Sequence, residues 1–347
     1  MKVEIDLGAI VRNYRRVAKS SGKDLIAMCK ANAYGHGAAQ VVRALPASTI
    51  GVATETEGIP IRDLGREVLV TAPSFSALPL CKRYGLIPLI GDFALARRAV
   101  DCGLERCRIK VNSGMNRLGF TGEKECYEAA LYLTRAGVTV EGADTHYRED
   151  GDENILVQNE RFLLSVAAVR AGVREGGSDR ALTTSVTGSG ALYASEFDYL
   201  RVGLALYGYH TGYATAGLPL EQAMRVTSEI VGRRSLPVGE TLGYSSLPYK
   251  TTKPTKAYVV LGGYGDGVLR AEVGREVIAA GRRLSIATVS MDTFIMVSDR
   301  IDLPVGARVI ILSKGVDAAY IASRRGTIPY EVLVGYDTSR ADRSYVE

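Results

Sequence analysis

A chain of 347 residues exceeds the usual size of one compact core, so it either divides into domains or closes into one large barrel. Hydrophobic residues at 46% and charged residues at 23% exclude a disordered chain, and no run of about 18 apolar residues is present to span a membrane. The formal charge of +5 is scattered among acids rather than gathered into a stripe, which excludes a nucleic-acid-binding face and fits at most small anionic ligands.

The chain opens with MKVEIDLGAI, in which Glu4 and Asp6 interrupt the apolar residues before a signal-peptide core can form. Eight short apolar segments then recur as predicted strands: LIAMC (25–29), TIGVAT (49–54), EVLVTA (67–72), IPLIG (87–91), RCRIKV (106–111), VTVEGAD (138–144), LTTSV (182–186) and DYLRVG (198–203). Intervening segments such as FALARRAVDCG and CYEAALYLTRAG carry apolar residues at three- and four-residue spacing and end in glycine, a helix C-cap signal. Eight strand–helix units closing on themselves make an α/β (β/α)8 TIM-like barrel over residues 1–222; a doubly wound open sheet shows the same alternation. Residues 223–347 lose the helical stretches and read as a second, mainly β domain.

Barrel strands present their chemistry at their C-terminal ends, where residues distant in sequence converge. Lys30 ends the first strand in KANAYGHG. Lys110, Met115 and Arg117 lie at or just past the fifth, in KVNSGMNRLG, and His146 ends the sixth. Thr187, Gly188, Ser189 and Gly190 follow the seventh, and Arg201, Gly203 and Leu204 belong to the eighth. Small glycine-flanked residues after strands seven and eight are where a barrel cradles phosphate on backbone N–H groups. Singly, each has a plainer reading: a solvated strand-end charge, a turn, a hydrogen-bonded histidine. Together they place a lysine opposite a phosphate cup. The five cysteines (Cys29, Cys81, Cys102, Cys107, Cys126) form no C-x-x-C pair, so reduced thiols in a cytoplasmic protein are expected, and three histidines predict no metal site.

KANAYGHG and VNSGMNRLG, followed in order by DTH, RVGLALYG, GGYGDG, SMD and VGYDTSR, resemble the alanine racemase family along nearly the whole chain. That family consists of pyridoxal-phosphate (pyridoxal 5'-phosphate) isomerases with a barrel and a C-terminal β domain. The resemblance implies that Lys30 holds the cofactor as a Schiff base and that Tyr34, Ser189, Gly203, Leu204 and Tyr336 hold its phosphate. It places Arg201 at the pyridine nitrogen with His146 hydrogen-bonded to it, and Arg117 at the phenolic oxygen. Arg117 and Met291 would bind the substrate carboxylate, and Lys110 matches a position that is often carbamylated. Tyr244 matches the catalytic tyrosine supplied by the opposite subunit, with Tyr249 a lesser candidate. A cytoplasmic homodimer interconverting L- and D-alanine by a two-base mechanism follows, with a place in D-alanine biosynthesis for peptidoglycan precursors. Departures from the pattern are Asn112, Gly188, Thr288 and Asp337, while Arg270 keeps an entrance arginine. These leave open a racemase of serine or of a longer or basic amino acid. A non-catalytic pyridoxal-phosphate carrier shares the barrel and lysine but lacks the second domain.

Overall fold

The protein is described from a computed structural model covering residues 1–148, 152–187, 196–210, 215, 217–244 and 248–347. Eight parallel strands close into a barrel: Asp24–Met28, Thr49–Val52, Glu67–Val70, Ile87–Ile90, Arg106–Val111, Thr139–Thr145, Thr183–Thr187 and Tyr199–Val202. Each falls within or beside the apolar segment expected for it. The ring closes where Leu25 stands opposite Leu200 and Ile26 opposite Arg201. The strands are apolar because both faces are covered, which is why they read as runs rather than alternations. Ile26, Leu69, Ile87 and Leu89, from the first, third and fourth strands, form one buried cluster with Tyr199 packed against it.

Local chemistry sets the helix ends around the barrel. Asp92 caps Phe93–Asp101, its carboxylate accepting the Ala94 N–H at 2.6 Å, and Gly85 ends Leu78–Tyr84 in the left-handed region at φ 63°. Glu57, three residues past Thr54, reaches back to the Ala53 and Thr54 amides at 2.8 and 3.4 Å and so starts the helix Glu55–Arg62.

The chain forms two compact units, one of residues 10–33 and 37–221, the other of residues 1–9, 34–36 and 222–347. In the second, the long strand Met224–Leu236 pairs antiparallel with Thr255–Leu261, with Arg308–Leu312 and with Lys2–Asp6. Glu276–Ala279, Arg282–Val289 and Thr293–Ser298 complete the run between Arg308–Leu312 and Thr255–Leu261, so that six strands return on themselves. Residues 2–6 are thus a sheet strand rather than merely a charged leader: Val3 and Ile5 are buried while Lys2, Glu4 and Asp6 alternate outward. Among the described residues no helix is long and apolar enough to cross a membrane.

One buried side chain ties distant parts of the barrel unit together. Asn13, fully buried, donates to the carbonyls of Leu206 at 3.0 Å and Glu221 at 2.7 Å and accepts from the Glu221 amide at 2.9 Å. Replacing it strands the buried Leu206 carbonyl and leaves two part-buried Glu221 backbone groups without their partner. Asn13→Leu is therefore expected to lower unfolding free energy by about 2–4 kcal/mol in denaturant titration, and a loss under about 0.5 kcal/mol would contradict this account.

Candidate active site

The first barrel strand ends at Met28, and Lys30 begins a single turn of unusual hand. Ala31, Asn32, Ala33 and Tyr34 all take positive φ, between 49° and 56°, so an expected break into an ordinary helix is instead a left-handed turn. Each non-glycine residue there costs roughly 1–2 kcal/mol, least where the side chain is small or an asparagine. Several hydrogen bonds hold it: Ala33 N–H to the Cys29 carbonyl at 2.8 Å, Ala31 N–H to Glu57 Oε1 at 2.7 Å, and Ala38 N–H to Asn32 Oδ1 at 2.7 Å. Glu57 thus caps its own helix and braces the lysine turn at once. Tyr207 anchors the strand end through its hydroxyl to the Met28 carbonyl at 2.9 Å. Neighbouring Cys29 is inert, because burial pushes its thiol up to about 12.

The fifth, sixth and last strands place cations together around one carboxylate. Asp144 is fully buried and accepts from Arg108 Nε at 2.6 Å on Oδ2, and from Arg201 at 2.8 Å and the Ser185 hydroxyl on Oδ1. Burial alone raises its pKa, but the two guanidiniums outweigh that and hold it below the ordinary carboxylate value. Arg201 also donates to the carbonyls of Ser185, at 3.1 Å, and Thr145. Lys110, on the fifth strand and buried, is brought down to about 7 by burial and then by Arg201, with Arg117 and Lys30 adding to it. His146 falls to about 3 through burial and then the charges of Lys110, Arg201, Arg117 and Lys30. The Lys30 amine is lowered by burial first and Arg117 second, with Glu57 opposing. Lys30, Lys110, Arg117, His146 and Arg201, all picked out in the sequence, therefore share one electrostatic environment.

Arg117 is carried by the loop after the fifth strand. Asn112 organises that loop: its carbonyl oxygen accepts from the Asn116 amide at 2.8 Å and the Gly114 amide at 3.3 Å, while its NH2 donates to Asn116 Oδ1 and Thr121 Oγ1 at 3.0 and 3.2 Å. An ionised aspartate could accept from the two amides and from the Thr121 hydroxyl but has no N–H to give Asn116 Oδ1. The departure at residue 112 thus has a local reason. Gly203 and Leu204 follow the last strand, Leu204 opening a buried 3-10 turn; Ser189 lies outside the described residues.

In the C-terminal unit, Tyr34 packs its ring 5.7 Å from that of Tyr330, and Gly35, at φ 80°, lies against the Leu333 carbonyl where a Cβ would come to 2.6 Å. Tyr336 is fully buried and its hydroxyl has no partner among the described residues. Burial and then Glu272 raise its pKa, so it stays a donor. Asp337 pairs with Arg343 at 2.6 Å. Tyr244 is 70% and Met291 52% exposed in the single chain. Thr288 is buried rather than open at an entrance, and its methyl group packs where a Cβ on Gly243 (φ 82°) would come to 2.7 Å. Tyr249 lies in a short ladder opposite Leu242, and Arg270 is exposed.

Models of the alanine racemase N-terminal and C-terminal domains match residues 5–211 and 223–345. The chain belongs to the alanine racemase family. An alanine racemase from Thermodesulfovibrio yellowstonii is 30% identical, the match covering 100% of this chain and 98% of the relative. The biosynthetic alanine racemase of Pseudomonas aeruginosa superposes with a TM-score of 0.85 at 29% identity, over 100% of this chain and 99% of that one. The alanine racemase of Bartonella henselae, solved with covalently bound pyridoxal phosphate, gives a TM-score of 0.87 over 99% of each chain; at 23% identity that likeness bears on the fold alone. Membership makes the chain an isomerase. Arg108, Asp144 and Glu57, which support Arg201 and the Lys30 turn, escaped the sequence reading. Asp144 is the first residue of the DTH motif and Arg108 stands two residues before Lys110, on the same face of its strand, which was the available signal.

The half-buried His146 gives a pH prediction. Unfolded, its imidazole takes a proton near 6.5; folded, it resists to about 3. The unfolded state therefore binds more protons as pH falls from about 6.5 to about 3, and stability drops over that window. Denaturant unfolding of cofactor-free His146→Gln should show a shallower loss across it than wild type, and equal slopes would count against the assignment.

Proposed function

We propose that the chain interconverts L- and D-alanine with pyridoxal phosphate, using Lys30 and Tyr244 as its two proton-transfer groups. The observation that carries the reading is Lys30 itself: a strand-end amine on a left-handed turn, biased toward its neutral form by burial and Arg117. A neutral amine is what both a Schiff base and proton abstraction require. The other residues fit the cofactor. Arg201, anchored on Asp144, would hold the pyridine nitrogen; because guanidinium stays protonated it could only donate, which would disfavour a protonated ring. The Tyr336 hydroxyl, without a partner among the described residues, suits a phosphate oxygen, and Tyr34, Ser189, Gly203 and Leu204 are assigned to the phosphate by resemblance.

Bound pyridoxal phosphate withdraws electrons from the substrate α-carbon and so acidifies its C–H bond. Racemisation then needs a proton taken from one face and another returned to the opposite face. Lys30 serves the D enantiomer and Tyr244 the L enantiomer. The exposure of Tyr244 and Met291 supports their delivery to a second copy of the chain in a homodimer. Arg117, held by the Asn112 loop, takes the substrate carboxylate with Met291, and His146 stays neutral beside it. Lys110, near neutrality at about 7, is poised to be carbamylated, which would offset the surrounding positive charge. Assignment to the cytoplasm and to supply of D-alanine for peptidoglycan belongs to the same reading.

The test is a chiral assay for D-alanine from L-alanine, with serine and basic amino acids as competitors, alongside the visible spectrum of the purified protein. Lys30→Ala should abolish both turnover and cofactor absorbance, and Tyr244→Phe should cut turnover by about 10²–10⁴-fold with the absorbance kept. Wild-type protein that binds the cofactor yet racemises no amino acid would leave only a carrier role and overturn the proposal.

A further inference from the structure

Arg108 lies behind the proton-transfer groups, and the barrel is built around it. From the fifth strand its guanidinium crosses the sixth at Gly142 and donates to Thr183 on the seventh, to Oγ1 at 2.7 Å and to the carbonyl at 3.0 Å. A Cβ on Gly142 would come to 2.7 Å from the Arg108 Cζ and 2.0 Å from the Thr183 carbonyl, so only glycine clears the path. The third nitrogen, Nε, occupies Asp144 Oδ2 at 2.6 Å. Arg201 is thereby limited to the other oxygen, Oδ1, at 2.8 Å. A carboxylate and an arginine left to themselves favour a two-pronged pair, which would cancel the charge of one against the other and turn the guanidinium toward the acid. With two guanidiniums on one carboxylate, the group instead keeps a net positive charge, in a place too buried for water to screen it.

We propose that Arg108 is a positioning residue: by taking one oxygen of Asp144 it prevents a two-pronged Arg201–Asp144 pair and keeps Arg201 a positive, correctly aimed group beside Lys30. This rests on the racemase reading for the use made of Lys30, but its electrostatic content stands without turnover. The charged groups that act on Lys30 are Arg117 from the fifth-strand loop, Glu57 from the helix Glu55–Arg62 and Arg201 from the last strand, with Lys110 and His146 sharing the same surroundings. Removing a cation from the Asp144 group raises the proton affinity of the Lys30 amine, and removing the carboxylate charge lowers it further below its ordinary value.

The experiment reads Lys30 in the full chain stripped of cofactor with hydroxylamine, by its rate of labelling with an amine-selective acylating reagent across pH, quantified on the peptide by mass spectrometry. Arg108→Gln should slow labelling at neutral pH by roughly three- to tenfold and move the profile to higher pH. Arg108→Lys, which keeps a cation for Asp144, should stay within about twofold of wild type, and Asp144→Asn should label faster. In the reloaded enzyme the acid limb of kcat/KM should shift in the same directions. A folded Arg108→Gln protein with a wild-type profile overturns the proposal, as does Arg108→Lys behaving like Arg108→Gln. If Arg108→Gln does not fold, Asp144→Asn decides, and labelling no faster than wild type overturns it. A wild-type chain that fails to racemise alanine while these labelling shifts hold would reject the function and retain the positioning role.

Discussion

The barrel mouth depends on how a protein keeps several cations close together without an equal number of acids. Asp144 is a buried carboxylate that Arg108 and Arg201 share, and its ionisation is secured by both against a burial penalty that acts the other way. Two guanidiniums against one acid leave the group cationic. Neighbouring bases respond as they must: Lys110 and His146 are pressed toward neutrality, and Lys30 follows more gently because Glu57 opposes the trend. Burial is the first cause in each case, but burial alone would not distinguish these lysines from any other half-hidden amine. Their special character comes from charge that is already committed in the core of the barrel.

The same region carries backbone strain. Four consecutive residues in left-handed geometry after Lys30 cost several kcal/mol on the scale of roughly 1–2 per residue, and the hydrogen bonds from Glu57, Asn32 and the Cys29 carbonyl return part of that. Glu57 connects the two problems. It pins the strained turn through Ala31 while its negative charge moderates the depression of the Lys30 amine, so one side chain shapes both where the lysine points and how basic it is.

Much of this was legible in the sequence, and the limits follow from physics. The eight barrel strands stand out because each is covered on both faces and so must be apolar throughout. The site lysines, Arg117, His146 and Arg201 stand out because a polar group at the end of such a run is conspicuous. Arg108 does not: a charge in the middle of RCRIKV looks like an outward-facing residue until Gly142 and Thr183, each far off in sequence, are seen to make room for it. Residues 2–6 were passed over for a related reason. A five-residue alternation has meaning only with its partner strands, and those are Asp342–Val346, parallel to it, and Met224–Leu236, more than two hundred residues away.

The surroundings of Tyr244 obey a different kind of constraint from the barrel cations. Arg108, Asp144 and Arg201 are locked together by buried, charged hydrogen bonds, and a change in any of them unbalances the rest. Tyr244 and Met291 are exposed in the single chain, and Asn112 and Thr288 act through turns that neutral hydrogen bonds and a methyl contact define. Such contacts are individually worth about 1 kcal/mol, so they can be exchanged without disturbing the charge balance of the barrel. Thr288 illustrates the point. It is buried and fills the space left by the missing Cβ of Gly243, thereby setting the backbone immediately before Tyr244 rather than presenting a charge to a ligand. Variation at this residue would therefore tune where the tyrosine sits, leaving the acidity of the barrel groups unchanged.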